Sequence, residues 1–329
     1  MDRGDRILAS EGATLSVGSA VITGASGQDG RLMAALLSAR GYHVVGITGR
    51  AVAEDRSAGF DELIAIDYDD AGALAGLVAE RRPDLLFNYA ALSTGADFYA
   101  SFPLVMRRNG DFVIALLEAI RTASPATRFF QASSSEMFGR VTVTPQDETT
   151  PCQPISPYGL AKFTAHRAVA IYRETYGLFA CGGILYNHDS PLRRPDYVLA
   201  KIAKAVAEIK AGVREGIELG RLDVYRDWGD AREYAEAIFR IVSADTPSDY
   251  VIATGRISCL ADVCADAFAY VGLDAADYIK TDPSLIRPIE TAQLCGDPSK
   301  IERELGWRAV NGPREVMRAM IDANLARLG

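Results

Sequence analysis

Hydrophobic and polar positions along the chain predict short strands that alternate with helices. Stretches such as Gly30–Arg40 and Asp111–Thr122 carry apolar residues at helical spacing. Shorter apolar runs, most of them rich in β-branched residues, predict buried strands: Ser19–Thr23, His43–Ile47, Leu85–Phe87, Arg128–Gln131 and Phe179–Ile184. Strands and helices in this order are typical of crossover units, whose strands form one parallel sheet. The pattern therefore predicts an α/β protein with a doubly wound parallel sheet.

The alternation weakens after residue 186, where a long helical pattern at Asp196–Gly212 is followed by loops and further helices. We expect residues 19–186 to form one domain, to which segments near residues 226–260 return. Residues 187–329 are expected mainly to form a smaller α/β domain over the carboxyl edge of the sheet. Residues 1–18 lack the apolar region of a secretory signal and are predicted to be a flexible extension.

The composition argues against several classes of binding partner. The 329 residues are 49% hydrophobic and 24% charged, with a formal net charge of -8 and no basic block, which argues against nucleic acid or an anionic membrane. No apolar run approaches the roughly 20 residues of a membrane span. Five scattered cysteines and three histidines give no metal-ligand spacing, so no metal is expected. The cytoplasm is the expected compartment.

A glycine loop follows the first predicted strand and opens a helix, with the sequence Val21-Ile-Thr-Gly-Ala-Ser-Gly-Gln-Asp-Gly30. Its G-x-x-G-x-x-G spacing suits a tight turn, a close approach of pyrophosphate to the backbone, and close packing of helix on strand. Free N–H groups at the start of the helix then attract the phosphates. A Rossmann-type dinucleotide site is predicted, with these cofactor-binding residues: Gly24, Gly27, Gln28, Asp29 and Gly30.

The end of the second strand favours NADP over NAD. NAD sites usually place an acid here to bind the ribose 2′-hydroxyl. This strand ends Gly46-Ile-Thr-Gly-Arg50, without an acid, and Arg50 suits a 2′-phosphate. Asp67, after the third strand, lies where an acid would contact the adenine; a solvated acidic turn is the alternative.

A reactive cluster is predicted from two further segments. Gln131–Gly139 contains three serines and Glu136 and follows an apolar strand, so it emerges at the edge where parallel sheets bind ligands. Tyr158 and Lys162 lie one helical turn apart. A serine hydroxyl can bond a substrate hydroxyl. Tyrosine can take the proton of that hydroxyl when the lysine charge lowers the phenol's pKa and the oxidised nicotinamide also favours the phenolate. The alternatives are a helix-capping loop and an ordinary amphipathic helix.

With these motifs the chain resembles an extended short-chain dehydrogenase/reductase, and specifically the GDP-mannose 4,6-dehydratase family. The resemblance spans roughly residues 20 to 307. Seven stretches carry it, in order: ITGASGQDG, QASSSEMFG, ETTPCQPISPYGLAK, YRETYGLFACGGILYNHDSP, ELGRLDVYRDWGDAREYAEA, DYVIATG and RPIETAQLCGDPSKIERELGW.

The resemblance implies roles for individual residues. Ser134 replaces the family's catalytic threonine, Glu136 matches its catalytic glutamate, and Tyr158 and Lys162 match its acid–base pair, which also contacts the cofactor. Further residues fall where the family binds GDP and the hexose, and a pyrophosphate suits the cations among them: Ser93, Asn187, Lys201, Arg226, Arg287 and Glu290.

The chain departs from the family at three places. Thr48 and Gly49 stand before Arg50 where relatives have further basic residues, in a loop that reaches a neighbouring subunit. A homodimer is therefore expected, with a tetramer as the alternative. Ser93-Thr-Gly-Ala-Asp-Phe-Tyr99 replaces a Ser-His-Val segment beside the sugar, and Leu192 replaces an arginine.

The implied activity is NADP-dependent 4,6-dehydration of GDP-mannose or a close GDP-sugar, in which the cofactor is recycled. A reductase, epimerase or decarboxylase of the same superfamily is the first alternative, because a Ser-Ser-Ser-Glu loop also resembles that of some sugar-nucleotide decarboxylases. A non-catalytic NADP-binding protein is the second alternative, although it would not need Tyr158 and Lys162 together.

Overall fold

A computed structural model describes residues 17–49, 58–93, 101–285 and 293–329. Its strands are short and mostly buried. They run, in chain order, β1 Gly18–Thr23, β2 Tyr42–Thr48, β3 Glu62–Ala65, β4 Leu85–Asn88, β5 Arg128–Ser134, β6 Ala180–Leu185, β7 Asn187–Asp189, β8 Ile217–Leu219, β9 Tyr225–Arg226, β10 Trp228–Asp230, β11 Tyr250–Ile252, β12 Ser258–Cys259 and β13 Ile279–Thr281.

Helices fill most of the connections between these strands. They are α1 Gln28–Ala39, α2 Ala71–Arg81, α3 Phe102–Met106, α4 Phe112–Ala123, α5 Pro157–Tyr176, α6 Val198–Lys210, α7 Ala231–Ser243, α8 Leu260–Tyr270, α9 Ala275–Tyr278, α10 Ser299–Leu305 and α11 Pro313–Leu328. One π-helical turn, Arg107–Asp111, joins α3 to α4, and one 3₁₀ turn, Ser135–Met137, follows β5. Another 3₁₀ turn spans Pro283–Leu285.

Seven of the described strands form one parallel sheet in the order β11-β6-β5-β4-β1-β2-β3. From β1 the chain winds outward through β2 and β3, then returns to the other side of β1 and continues through β4, β5 and β6. The strand order thus reverses between β1 and β4, which opens a crevice at their carboxyl ends. The predicted α/β fold class is confirmed, and each predicted strand overlaps an observed one, with ends that differ by at most three residues.

Apolar side chains on both faces hold the sheet between layers of helices. One buried cluster joins the sheet to α1 and α7, and a second joins the opposite face to α2, α4 and α5. A third cluster packs α6, α8 and α11 around Trp228, beside two-stranded ladders such as β10 with β7. The strand β11 pairs with β6.

The division of the chain at residue 186 into two domains stays a prediction. Among the helices described here, none has the length and apolar character needed to cross a bilayer.

Glycine at the start of α1 is required by close packing of the backbone. A Cβ on Gly30 would lie 2.6 Å from the carbonyl oxygen of Gly24 and 2.9 Å from the Cα of Ala25. Gly76, in the middle of α2, offers a matched comparison, because a Cβ there would meet no described atom within 4 Å beyond its own helix and chain neighbours.

We expect Gly30→Ala to lower the free energy of unfolding by about 1–3 kcal/mol, because backbone must shift to admit the methyl group. Gly76→Ala should raise it by about 0.5–1 kcal/mol, since alanine loses less conformational entropy in a helix. Urea denaturation of both variants measures the difference. Equal effects of the two substitutions would contradict this account of the loop.

Candidate active site

The glycine loop lies at the switch point between β1 and β4. Gly24 has a φ of 72°, in the left-handed region, and a Cβ there would lie 2.7 Å from backbone atoms of Tyr89 and Ala90. At Gly27 the nearest described atom to a Cβ would be the Gly24 carbonyl oxygen, at 3.2 Å. Gly27 is also the N-cap of α1 and supplies no side-chain cap. The loop thus combines room for an approaching group with helix N–H donors, which fits a cofactor pyrophosphate.

Two other side chains of the loop turn toward the segment after β6. The carboxylate of Asp29 lies 3.1 Å from His188 Nε2, and the amide of Gln28 donates to Asp29 Oδ1 and to the carbonyl of His188. Ser190 Oγ donates to Gln28 Oε1 at 2.9 Å. The loop is therefore attached to residues 188–190 by side-chain hydrogen bonds.

Asp67 lies beyond β3, and its exposed carboxylate accepts from the backbone N–H of Asp69 and from Arg108 at 3.2 Å. The hydrogen bond from Asp69 is the largest influence that lowers its pKa. Its predicted contact with adenine stays a prediction. The predicted Arg50 contact falls outside the described residues, as do those of Arg287 and Glu290.

Ser134, Glu136 and Tyr158 meet where β5 ends against the start of α5. Ser134 Oγ accepts from the N–H of Glu136 at 3.2 Å and is hydrogen-bonded to the Tyr158 hydroxyl. A Cβ on Gly159 would lie 2.6 Å from the carbonyl oxygen of Glu136, so the first turn of α5 rests directly on this backbone. Ser134 therefore does cap a turn, as the alternative reading of the loop required, and it also reaches the tyrosine.

Local sequence fixes the position of Tyr158. Ser156 is the N-cap of α5, and its hydroxyl accepts from the N–H of Gly159 at 3.0 Å. Pro157 occupies the first helical position, where its missing N–H costs nothing. Tyr158 is thereby held in the first turn of α5, with its ring directed toward β5.

Burial is the main cause that raises the pKa of Tyr158, and the nearby Tyr197 and Glu136 add to it. The hydrogen bond with Ser134 and the charge of Arg193 act in the opposite direction. The prediction that the lysine charge lowers the pKa of this phenol is therefore wrong for the protein chain alone. The physical reason is that burial of the phenol outweighs the cations around it.

Lys162 lies deeper than Tyr158, with 3% of its surface exposed. Its Nζ donates to the carbonyl oxygen of Ala132 at 2.7 Å and lies 5.7 Å from the centre of the Tyr158 ring. Burial lowers the pKa of Lys162 to about 8, although the charge of Asp29 opposes this. The ammonium therefore lies near the Tyr158 ring and close enough to Asp29 of the glycine loop for that charge to affect its pKa.

The segment from β7 to α6 supplies the facing wall. Arg193 is held by Asp189 at 2.9 Å, and its guanidinium lies 3.4 Å from the centre of the Tyr197 ring. The Tyr197 hydroxyl is 2.6 Å from Ser93 Oγ, which brings the predicted Ser93 to this wall. Leu192 stands where the resemblance led us to expect an arginine, and the next residue, Arg193, lies close enough to Tyr158 to influence its pKa.

The remaining predicted substrate residues lie around this wall. Asn187 is exposed in β7 and immediately precedes His188. Lys201 lies in the first turn of α6, and its Nζ donates to the Glu218 carbonyl at 2.7 Å. Arg226 is partly exposed in β9, and its guanidinium donates to the Tyr225 carbonyl. Their contact with a nucleotide sugar stays a prediction.

Sequence reasoning missed His188, Arg193 and Tyr197. Each lies within or beside a stretch that resembles the family, but single residues of these types are more often structural, and no spacing marks them. Their proximity to Asp29, Tyr158 and Ser93 depends on contacts across more than thirty residues of chain. In the described part of the chain, no group of His, Cys, Asp and Glu side chains could hold a metal ion.

The matching family model and the curated relatives carry the name of the same enzyme. A family model described as GDP-mannose 4,6 dehydratase matches residues 21–320. A GDP-mannose 4,6 dehydratase 2 of Caenorhabditis elegans is 36% identical over 93% of this chain and 89% of its own length. The GDP-mannose 4,6 dehydratase of Homo sapiens is 33% identical over 93% of this chain and 91% of its own length.

Solved structures support the fold. RMD from Pseudomonas aeruginosa, complexed with NADPH, is 20% identical with a TM-score of 0.80, over 94% of this chain and 98% of its own. A UDP-glucose 4-epimerase from Thermotoga maritima, with UDP-glucose, is 19% identical with a TM-score of 0.83, over 94% of this chain and all of its own.

The buried ammonium of Lys162 should cost stability. The pKa of this lysine is 10.5 in the unfolded chain and about 8 in the folded protein. Burial of the charge therefore lowers the free energy of unfolding by its full amount below pH 8, and this loss disappears as pH rises to 10.5. We expect Lys162→Met to raise the free energy of unfolding at pH 7 by about 1–3 kcal/mol. The Ala132 carbonyl stays satisfied, because Gln131 Nε2 also donates to it at 2.9 Å.

Urea denaturation at pH 7 and at pH 10 measures this effect, and the advantage of the variant should shrink at pH 10. Lys210→Met, at the exposed end of α6, is the matched control and should change stability little at either pH. A variant that is less stable than the parent at pH 7 would contradict this account of Lys162.

Proposed function

The chain belongs to the GDP-mannose 4,6-dehydratase family, and from that premise we propose that it converts GDP-mannose, or a close GDP-sugar, to the 4-keto-6-deoxy sugar. It is an NADP-dependent nucleotide-sugar dehydratase of the lyase class. The observation that carries the proposal is the meeting of Ser134, Glu136 and Tyr158 at the end of β5, above the buried Lys162.

When bound at the glycine loop, NADP would supply a hydride acceptor for C4 of the hexose and later a hydride donor for C6. The fit of the glycine loop to a pyrophosphate supports this cofactor. Gly24, Gly27, Gln28, Asp29 and Gly30 would surround the diphosphate. The side chain of Arg50 would meet the 2′-phosphate, and Asp67 would meet the adenine.

Tyr158 removes the proton of the C4 hydroxyl as C4 is oxidised. Ser134 shares a hydrogen bond with the Tyr158 hydroxyl and holds the C4 oxygen within reach. Lys162 binds the nicotinamide ribose and brings a positive charge next to the phenol, which favours its ionised form. Because burial raises the pKa of Tyr158 in the chain alone, the phenol holds its proton tightly and can act as a base only with such positive charge beside it.

Glu136 performs the second half of the reaction. A ketone at C4 acidifies the proton at C5, and the carboxylate of Glu136 takes that proton. Ser134 and Glu136 then help the C6 hydroxyl to leave as water, so that a C5–C6 double bond forms. Addition of hydride at C6 and of a proton at C5 completes the 4-keto-6-deoxy sugar, with no net oxidation or reduction.

The segment from β7 to β9 would hold the nucleotide sugar. Asn187 and Lys201 would meet the phosphates, Arg226, Arg287 and Glu290 would hold GDP and the hexose, and Ser93 would border the sugar. Cations suit a diphosphate, because Lys supplies a point charge and Arg a bidentate pair of donors.

Within the same superfamily the alternatives are a reductase, an epimerase and a decarboxylase. Incubation of the purified protein with a panel of nucleotide sugars and no added NADPH separates them by product mass. Loss of one water from a GDP-hexose supports the proposal. A rearranged product of unchanged mass identifies an epimerase, and loss of carbon dioxide identifies a decarboxylase. A parallel incubation with added NADPH identifies a reductase by stoichiometric consumption of that NADPH.

Two variants separate the catalytic roles. Tyr158→Phe keeps the ring but removes the acid–base group, so C4 oxidation should slow by about 10²–10⁴-fold. Glu136→Gln keeps shape and hydrogen bonding but cannot take the C5 proton, so the 4-keto sugar and reduced cofactor should accumulate. Absorbance of bound NADPH and exchange of deuterium from solvent into C5 measure the two steps.

The matched control is Glu80→Gln, on the exposed surface of α2, which should leave both steps unchanged. If Glu136→Gln turns over and exchanges C5 within about twofold of the parent, a change of well under 1.4 kcal/mol in the barrier, Glu136 has no role as the base. The epimerase alternative would then be favoured.

A homodimer in the cytoplasm is the proposed assembly and location, with a tetramer as the alternative. The outer faces of α4 and α5 present Ile114, Leu160 and Ile171, which are 37%, 37% and 48% exposed. Leu160 and Ile171 lie eleven residues apart and so share one face of α5. A symmetric contact between two copies would bury this surface on both. The five free cysteine thiols suit a reducing compartment.

We expect the double variant Leu160→Arg and Ile171→Arg to be monomeric at micromolar concentration, because two charges on each copy would meet across the axis. Light scattering measures the mass. Val213→Arg places the same charge on an exposed site beyond α6 and should leave the assembly unchanged. A dimer that survives the double substitution would show that this surface is not the interface.

A further inference from the structure

We propose that His188 is a positioning residue, which as a buried imidazolium paired with Asp29 holds the cofactor loop against β7 and offsets the negative charge of that loop. The inference rests on the proposed NADP site at the glycine loop. His188 lies in the middle of β7 with 8% of its surface exposed, and Asp29 is the second residue of α1. The pair joins parts of the chain that are 159 residues apart.

Hydrogen-bond partners determine the protonation state of His188. Its Nδ1 lies 2.7 Å from the carbonyl oxygen of Tyr186, which can only accept, so Nδ1 must carry a proton. Its Nε2 lies 3.1 Å from the Asp29 carboxylate, which when ionised also only accepts. Both nitrogens therefore need a proton, and the ring satisfies both partners only as a cation.

The electrostatic surroundings agree with this assignment. Burial acts to raise the pKa of Asp29, but the charge and hydrogen bond of His188 prevail and lower it to about 2. Burial likewise acts to lower the pKa of His188, and Asp29 more than compensates, so the pKa of His188 is raised. The Tyr234 ring of α7 covers the imidazole at 4.7 Å between ring centres and adds no charge.

Other charged groups face the pair from each packed element. Arg193, in the segment that follows His188, disfavours the imidazolium. Arg193 also forms an ion pair with Asp189 at 2.9 Å, so the charges of these two residues offset each other. Lys162 of α5 is also attracted to Asp29, whose negative charge acts to raise the pKa of the lysine. Tyr89, after β4, lies near Asp29 as a neutral phenol, because burial raises its pKa. His188 is the cation in direct hydrogen-bond contact with Asp29.

A carboxylate at this point opposes the cofactor unless it is neutralised. Asp29 lies in the first turn of α1, beside the N–H groups that suit a pyrophosphate, and two negative groups in one site repel. The imidazolium removes most of that repulsion. The same contact fixes β7, so that Asn187, the proposed phosphate residue before His188, is positioned relative to the cofactor loop.

The sequence makes the protonation state directly measurable, because the chain has three histidines. Nitrogen-15 NMR of the protein without cofactor or substrate should show both His188 nitrogens protonated at pH 7.5, which is about one unit above the ordinary pKa. The buried His166 should be neutral there, since burial lowers its pKa. Single His→Gln variants assign the three rings. A neutral His188 at this pH overturns the proposal, whatever the enzyme's activity.

Cofactor affinity provides the second measurement, by titration of NADP without substrate. Lys162, with a pKa of about 8, also loses its charge between pH 7 and pH 9.5, so the fall in affinity is compared between the parent and His188→Gln. The fall should be about tenfold larger in the parent, a coupling of ordinary size between two sites. His188→Gln should bind about tenfold more weakly at pH 7 and keep only the part of the pH dependence that Lys162 causes. His43→Gln, on the exposed surface near Glu62, is the control and should keep both.

A double-mutant cycle separates charge compensation from a purely structural role. If His188 acts by neutralising Asp29, then in an Asp29→Asn background His188→Gln should change NADP affinity by less than about twofold. Equal losses in both backgrounds would reject the proposed pairing. Failure of the dehydratase proposal would appear separately, as normal NADP binding without loss of water from any sugar.

Discussion

The active site depends on one buried contact, the hydrogen bond from the Lys162 ammonium to the Ala132 carbonyl at the end of β5. It holds α5 against the sheet at the height where the strand becomes the Ser135–Met137 turn. Because Tyr158 lies one helical turn before Lys162, the same contact positions the phenol over Ser134. The close approach of Gly159 to the Glu136 backbone completes this arrangement. The proposed catalytic groups are thus positioned by this hydrogen bond together with close packing of the main chain, and a shift of α5 would separate Tyr158 from Ser134 and Glu136.

A buried ammonium has an energetic cost, and the fold offsets it with a chain of alternating charges. Lys162 faces Asp29, Asp29 is bonded to His188, and Arg193 is bonded to Asp189. Each charge has an opposite neighbour, which makes burial tolerable although not favourable by itself. This series of charged side chains extends from α5 through the glycine loop to β7. Proposed cofactor-binding and substrate-binding residues therefore belong to one electrostatic unit.

Much of the fold and part of the site could be predicted from the sequence. Strands such as β1 and β5 are apolar throughout, and Gly24 and Gly30 are required by the backbone, so local patterns carry the information. The family membership and the dehydratase function implied by the motifs are confirmed. Ser134 and Tyr158 meet as the motifs suggested, because each lies at the end of a regular element.

What could not be predicted depends on long-range contacts and on burial. His188 has no local signature, and its partner Asp29 lies in the glycine loop, where sequence reasoning assigned it to the cofactor. The direction of the Tyr158 pKa shift was wrong because spacing reveals the nearby lysine but not the burial of the phenol. The two errors have one cause: the charge state of a group is set by everything packed around it. Burial raises the pKa of Tyr158 in the chain alone, so the role of base that we propose for it requires added positive charge beside the phenol, which an oxidised nicotinamide would bring.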